Sequence, residues 1–324
     1  MIRLEDNLWN LYPKDIVESV NWIGSQRIFR KLNERNSRIL SKNIRSAIKR
    51  LNFKNYILFN DSSMFLGKHM KELLRPALYT YYMRDFLINV PYWRKHGKDM
   101  EPELMKEADL IVNNSEYYTE YCSQFNTNSV MVVQGCDLEL FDDKEGALKI
   151  PKDIKQIKGP IIGYVGSLTT LSLDIDILEH IASQRSDWNL VLFGPEDENY
   201  KRSRVHELTN VHFLGNKNSK DLPSYIKGFD VTINPQIVND ITIGNYPRKI
   251  DEYLALGKPV VATHTKAMEM FKDFVYLGDS KEDYVLLIEK ALSEIPEQEI
   301  DRRIKFAKSH SWENNVQAIY EAID

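Results

Sequence analysis

Residues 245–263 read NYPRKIDEYLALGKPVVAT. Proline fixes its own φ and has no N–H to leave unpaired, so Pro247 suits the first position of a helix. That puts Arg248 and Lys249 in the first turn, where free backbone N–H groups and the helix dipole already attract an anion such as a diphosphate. Glu252 follows Lys249 at (i, i+3), on about the same face, where a carboxylate can accept two hydrogen bonds from a ribose diol. A surface ion pair between Lys249 and Glu252 accounts for the same spacing. Gly257 closes the helix in the left-handed conformation, and Pro259 opens a β-branched run at Val260. Helix, glycine and apolar strand in this order make one αβ unit of a parallel sheet.

Strand signals of the same kind lie on both sides of this unit. In the second half they are PIIGYVG (160–166), WNLVLFG (188–194), VHFLG (211–215), FDVTINP (229–235), KPVVAT (258–263) and FVYLG (274–278). Helical spacings over 173–183, 222–227, 248–256 and 281–292 separate them. The first half alternates YILFN (56–60), ALYTYYM (77–83), DLIVNN (109–114) and VMVVQG (130–135) with helical stretches at 62–74 and 115–125. This predicts an α/β chain of two Rossmann-like domains. Residues 142–160 are rich in Lys, Asp and Glu, hold Gly146, Pro151 and Pro160, and show no apolar period, so they read as the linker. The expected domains are 1–150, a Rossmann-like acceptor-side domain, and 151–310, a Rossmann-like donor-side domain. Residues 311–324 carry Val316, Ile319 and Ile323 on one face and read as an amphipathic helix that could pack back toward the first domain.

Composition narrows the class. The 324 residues are 43% hydrophobic and 28% charged, with no apolar run near the roughly 20 residues a membrane span needs. The opening MIRLEDNLWNLYPK lacks the apolar core of a secretory signal, which leaves the cytoplasm. Cys122 and Cys136 are the only cysteines, too few for a disulfide framework or a metal cluster, and read as buried thiols. The net charge of −4 conceals a basic stretch: residues 27–54 hold ten Lys or Arg and one acid, Glu34. This is a solvated helix face or a surface for anionic lipid headgroups or a phosphate-bearing acceptor. Nucleic acid is disfavoured by the acidity of the rest.

The pattern P-x-K-x-x-E-Y-L-A-x-G-K-P-V-V, preceded by F-D-V-x-x-x-P, resembles the donor domain of GT-B glycosyltransferases of the group 1 family. IIGYVGSL, DWNLVLFGP, NVHFLGNKNSKDLPSYIKGFDV and the closing SWENNV follow that family's order from residue 161 to the terminus, roughly half of the chain. Within the family it looks nearest to bacterial polysaccharide and teichuronic-type transferases. The resemblance implies that Gly166 and Ser167 sit beside the donor phosphates, Gly194 and Pro195 line the base pocket, and Gly215 with Asn216 contacts the base edge. It implies that Lys249 binds the diphosphate and Glu252 the ribose, with neither metal nor cofactor, because helix dipole and basic side chains stabilise the leaving nucleotide.

Two departures from the family pattern stand out. The family commonly carries two glutamates eight positions apart, the first holding the donor sugar; counting back from Glu252 reaches Gly244. Asn245 or Tyr246 could hydrogen-bond the sugar instead, and retention or inversion at the anomeric carbon stays open. The family also usually begins with a strand, a Gly-rich loop and a long helix, and roughly 60 residues of that region have no counterpart here. The N-terminal Rossmann-like domain is therefore expected to be incomplete.

An inverting enzyme needs a base in the first domain. Asp85, in Y-x-x-D after a strand and beside Arg84, is the candidate; Asp61 and His96 follow, His96 reading as a solvated residue of the WRKHGK loop. Asp137 in QGCDLELF occupies a family position that borders the cleft, and reads as structural. The expected activity is transfer of a hexose-type unit from a nucleoside diphosphate sugar to a glycan or lipid-linked acceptor in cell-surface polysaccharide synthesis, at the inner face of the membrane. A GT-B sugar-nucleotide epimerase and a non-catalytic nucleotide-binding partner subunit are the alternatives.

Overall fold

A computed structural model describes residues 1–143, 146–293 and 296–323. The chain divides into two compact units, one made of Met1–Val132 with the chain from Ile319 on, the other of Val133–Ala318.

The first unit opens with an antiparallel hairpin, β1 (Ile2–Glu5) and β2 (Leu8–Asn10), followed by a long helix, Gln26–Arg50. Its sheet is four parallel strands in sequential order: β3 (Ile57–Asp61), β4 (Leu78–Met83), β5 (Leu110–Asn113) and β6 (Ser129–Met131). Helices cover parallel sheets, so inner strands are apolar on both faces. β5 is buried at every position, and Tyr79, Tyr81 and Met83 of β4 pack with Phe29, Met64, Leu104 and Tyr118 from the helices. Ser115 caps the helix Glu116–Ser123 by accepting the Tyr118 N–H.

The predicted helix over 62–74 is two short ones, Met64–Gly67 and Met70–Leu74, the second closed by Arg75 at φ 51°. His96 is not in a loop. It lies inside the helix Pro91–Glu107, 2% exposed, with Nε2 on the Ile23 carbonyl at 2.9 Å and its ring stacked 3.7 Å from Phe29. Its apolar surroundings, not its charged sequence neighbours, decide its place, so His96 drops out as a base.

The second unit has six parallel strands: β7 (Ile161–Val165), β8 (Asn189–Phe193), β9 (Val211–Phe213), β10 (Val231–Asn234), β11 (Val260–Thr263) and β12 (Tyr276–Gly278). Their spatial order is β12-β11-β10-β7-β8-β9, the doubly wound arrangement whose direction of winding reverses between β7 and β10. One face carries Ile175–Gln184, capped by Asp174, and Lys281–Leu292, which opens on a Ser280/Asp283 capping box. The other carries Lys249–Ala255, closed by Gly257 at φ 68°. The close approach of Phe229 explains Gly163: a Cβ there would lie 2.0 Å from the ring.

The division between units falls at Val132, ahead of the expected linker. The described part of 146–160 carries its charges outside but anchors on the second unit through Ile150, Ile154 and Ile157, Ile154 from the short helix Lys152–Lys155. Three isoleucines spaced four and three apart bury a narrow stripe that the charges around them mask in the sequence. The terminal helix, Trp312–Glu321, begins in the second unit, and its residues from Ile319 fall with the first.

Candidate functional site

In a doubly wound sheet, ligands meet the carboxyl ends of the strands at the point where winding reverses. There β7, β8 and β9 each end on a glycine with positive φ: Gly166 (148°), Gly194 (141°) and Gly215 (66°). Gly166 N–H donates to the Phe193 carbonyl at 2.9 Å and Gly194 N–H to the Gly215 carbonyl at 3.1 Å, so the three turns lie edge to edge. A Cβ at Gly194 would stand 1.8 Å from the Gly166 carbonyl oxygen, which makes these backbones nearly touch. The result is a bare backbone ledge.

Lys249 reaches this ledge from across the β7–β10 reversal. Its ammonium donates to the Tyr164 hydroxyl at 2.8 Å, sits 4.3 Å from that ring's centre, and lies where a Cβ on Gly166 would meet it at 2.8 Å. Its helix is held at this height by the buried Tyr253, whose hydroxyl accepts the Val165 N–H at 2.9 Å. Lys249 opens the helix, with Arg248 in the capping position. The expected start at Pro247 is two residues early, and the Pro247 carbonyl already accepts the Ile250 N–H at 2.8 Å. Glu252 pairs with Arg248 at 3.3 Å rather than with Lys249. Burial pushes the Glu252 carboxyl above its usual range, and the charges of Arg248 and Lys249 oppose that push.

These side chains line a cavity of about 550 Å³, a size suited to a small-molecule ligand. Gly166, Asn245, Tyr246, Pro247, Lys249 and Glu252 are on its wall, as is Asp137. Ser167, Pro195 and Asn216 are not: they are exposed on the loops that follow β7, β8 and β9, on the same carboxyl edge. Gly194 and Gly215 shape the ledge through backbone contacts and are not on the cavity wall.

The wall also holds residues the sequence reading passed over: Asn234, Gln236, Arg248 and Trp312. Asn234 ends β10, is 4% exposed, and its Nδ2 meets no hydrogen-bond partner among the described residues. Its signal was legible as the polar residue closing FDVTINP, next to the reversal point. Gln236 is occupied, donating to the Thr242 carbonyl at 2.7 Å and so fixing the loop that leads to Asn245. Trp312 packs against Gly135, where a Cβ would come within 2.5 Å of the indole.

Tyr246 differs from expectation in one respect. Its hydroxyl points away from sugar-binding duty, donating to Asp251 Oδ2 at 2.5 Å and lying 3.2 Å from His310 Nδ1. His310 Nδ1 completes the triangle with Asp251 Oδ1 at 2.7 Å. Asp251 is fully buried; burial raises its carboxyl, and the bonds from His310 and Tyr246 hold it down. The triangle anchors the Asn245–Pro247 turn to the segment before the terminal helix.

In the first unit, Asp85 follows β4 at the surface. Desolvation raises its carboxyl, Arg84 lowers it, and Asp61 adds to the rise. Arg84 pairs with Asp61 at 3.3 Å, so Asp61 already has its cation. Among the described residues no group of three His, Cys, Asp or Glu side chains is placed to hold a metal.

Residues 159–322 match the family described as glycosyl transferases, group 1. A Bacillus subtilis (strain 168) protein, TuaH, named for a glycosyltransferase role in teichuronic acid biosynthesis, is 29% identical over 231 residues. That match covers 68% of this chain and 57% of the relative, so the chain spans little more than half of that protein's length. Among solved structures, Anabaena Alr3699/HepE in complex with UDP superposes with a TM-score of 0.70 at 14% identity, covering 87% of this chain and 82% of that one. Sucrose-phosphate synthase from Thermosynechococcus elongatus gives 0.66 at 15% identity, covering 94% and 80%. These likenesses are of fold, and the fold is the GT-B type, α/β with parallel sheets.

Proposed function

The chain belongs to the group 1 glycosyl transferases, and from that premise we propose that it moves a sugar from a nucleoside diphosphate donor to a glycan or lipid-linked acceptor in cell-surface polysaccharide synthesis. The observation that carries the donor half is the meeting of Lys249 with the Gly166–Gly194 ledge, beside the half-buried Glu252, at the reversal point of the second sheet. An ammonium over bare backbone suits a diphosphate, and a partly desolvated carboxylate next to two cations suits the paired hydroxyls of a ribose. The solved structures of Anabaena HepE with UDP and with UDP-glucose support a uridine donor carrying a hexose.

In this reading the acceptor hydroxyl attacks the anomeric carbon, the bond from that carbon to the β-phosphate oxygen breaks, and the nucleoside diphosphate leaves. Lys249 and Arg248 take up the charge that grows on the leaving diphosphate, so no metal ion or cofactor is called for. Asp85, kept partly desolvated, accepts the hydroxyl proton. Asn245 and Asn234, whose Nδ2 meets no partner among the described residues, hydrogen-bond the sugar in place of the family's first carboxylate, where this chain has Gly244. Ser167, Pro195, Gly215 and Asn216 contact the far phosphate and the base along the loop edge. No described helix is long and apolar enough to cross a membrane, and the enzyme acts as a peripheral protein at the inner membrane face.

Calorimetry with UDP, GDP and ADP tests the donor half. One of them is expected to bind, and Lys249→Ala to weaken that binding roughly 10- to 100-fold, the range of a hydrogen bond to a charged group. Absence of binding by all three, or a variant that binds as tightly as the native chain, overturns it.

A further inference from the structure

The helix Gln26–Arg50 carries Arg27, Lys31, Arg35, Arg38, Lys42, Arg45 and Lys49, and all seven are exposed. Their steps of three and four residues keep every one within about 40° of a single line along the helix. That line runs opposite the face that buries Phe29, Asn33 and Ser37. From Arg27 to Lys49 the stripe extends about 33 Å. Arg38 is paired with Glu34 at 2.6 Å, and Arg45 donates to the Leu73 carbonyl. The other five meet no ion pair or hydrogen bond among the described residues.

A groove of about 450 Å³ runs beside the stripe, between Ile28, Leu32 and Ile39 of the helix and Ile16, Val20 and Trp22 of the segment before it. Its apolar rim is unusually bare: Ile16 is 90% exposed, Trp22 78% and Ile28 52%. The Trp22 N–H is already satisfied by the Ser19 carbonyl at 3.0 Å, and Lys95 holds the Trp22 carbonyl at 2.8 Å. The indole is thus fixed outward with no polar group left to pair. Glu18 is the one acid on the groove wall.

A basic stripe alone suits any polyanion. Bare Trp and Ile beside it gain nothing from a hydrophilic polymer, whereas a leaflet of anionic lipid offers phosphates to the stripe and an acyl boundary to the apolar rim. We propose that this face of the first unit docks on an anionic bilayer, with Trp22 and Ile16 entering the interface and Lys31, Arg35 and Lys42 on the headgroups. The docking face deepens the reading of a peripheral enzyme at a membrane, and its readout, vesicle binding, does not depend on sugar transfer.

The test is sedimentation of the full chain with vesicles of equal phosphatidylglycerol and phosphatidylcholine, against phosphatidylcholine alone and against soluble polyglutamate. The native chain is expected to follow only the anionic vesicles. Lys31→Glu/Arg35→Glu/Lys42→Glu should weaken that partitioning at least about tenfold. Ile16→Ser/Trp22→Ser should weaken vesicle binding while leaving any polyglutamate binding unchanged. Circular dichroism and nucleoside diphosphate binding, read on both variants, confirm that they fold. Equal binding to both vesicle types, or unchanged binding by the charge-reversed variant, overturns the proposal. Polyglutamate binding without vesicle binding replaces the bilayer with a polyanionic chain, and an unaffected serine variant removes the apolar contact.

Discussion

At Gly194 one added methyl group would sit 1.8 Å from a backbone oxygen, at a φ of 141° that side chains rarely adopt. Neither neighbour can yield without pulling β7 from β8, so Gly194→Ala is expected to cost more than about 2 kcal/mol of stability. It should also abolish nucleoside diphosphate binding, which calorimetry and urea unfolding would show together. Glu101 makes a prediction of another kind. It is fully buried, its Oε1 accepts the Tyr81 hydroxyl at 2.6 Å, and its Oε2 meets no partner among the described residues. Burial pushes its carboxyl up to about 7, the Tyr81 bond opposing. The folded chain therefore keeps a proton that the unfolded chain gives up above about 4.5. Stability is full below that value and falls as pH rises toward 7, by up to about 1.4 kcal/mol per unit. Glu101→Gln, neutral throughout, should be about 3 kcal/mol more stable than the native chain at pH 8 and nearly equal to it at pH 4.5. Urea unfolding at the two pH values checks this; an equal difference at both contradicts it.

Among the elements, those with a local stop and start signal were readable. Ser280 with Asp283 marks the start of Lys281–Leu292, and Gly257 the end of Lys249–Ala255, because a cap needs only a side chain or a left-handed residue within its own turn. Ser280→Ala should accordingly cost about 1 kcal/mol in urea unfolding, since it removes the side-chain half of the capping box. The strands were readable for the same kind of reason: apolar runs such as IIGYV and LIVN are buried on both faces and need no alternation to decode. What failed was local too. The helix expected over 62–74 breaks between Gly67 and Met70, and the segment of 142–160 hides the buried Ile154 and the half-buried Ile150 and Ile157 among charges. His96 was misplaced because Lys and Arg around it face water while one helix face turns the imidazole onto Phe29.

On the scale of the chain, two units with separate sheets and separate cores imply two unfolding events rather than one. Because the cavity with Lys249 and Glu252 lies wholly within Val133–Ala318, a saturating nucleoside diphosphate should raise only that unit's transition. At a hundred times Kd the gain is about 2.7 kcal/mol. Calorimetric scans with and without ligand check it, and a common shift of both transitions contradicts it. The sequence by itself determined the α/β class, the order of the strands along the chain and the place of Lys249 and Glu252 in the first turns of one helix. Apolar runs, caps and a helix-start proline act within a few residues and so are written locally. Only the tertiary structure decided that Lys249 answers to Tyr164 and Gly166, that Glu252 takes Arg248, that Tyr246 turns inward to Asp251 and His310, and that Asn234 Nδ2 meets no partner among the described residues. Those choices depend on which strands lie side by side at the reversal point, and residues separated by tens of positions become neighbours only when the sheet has formed.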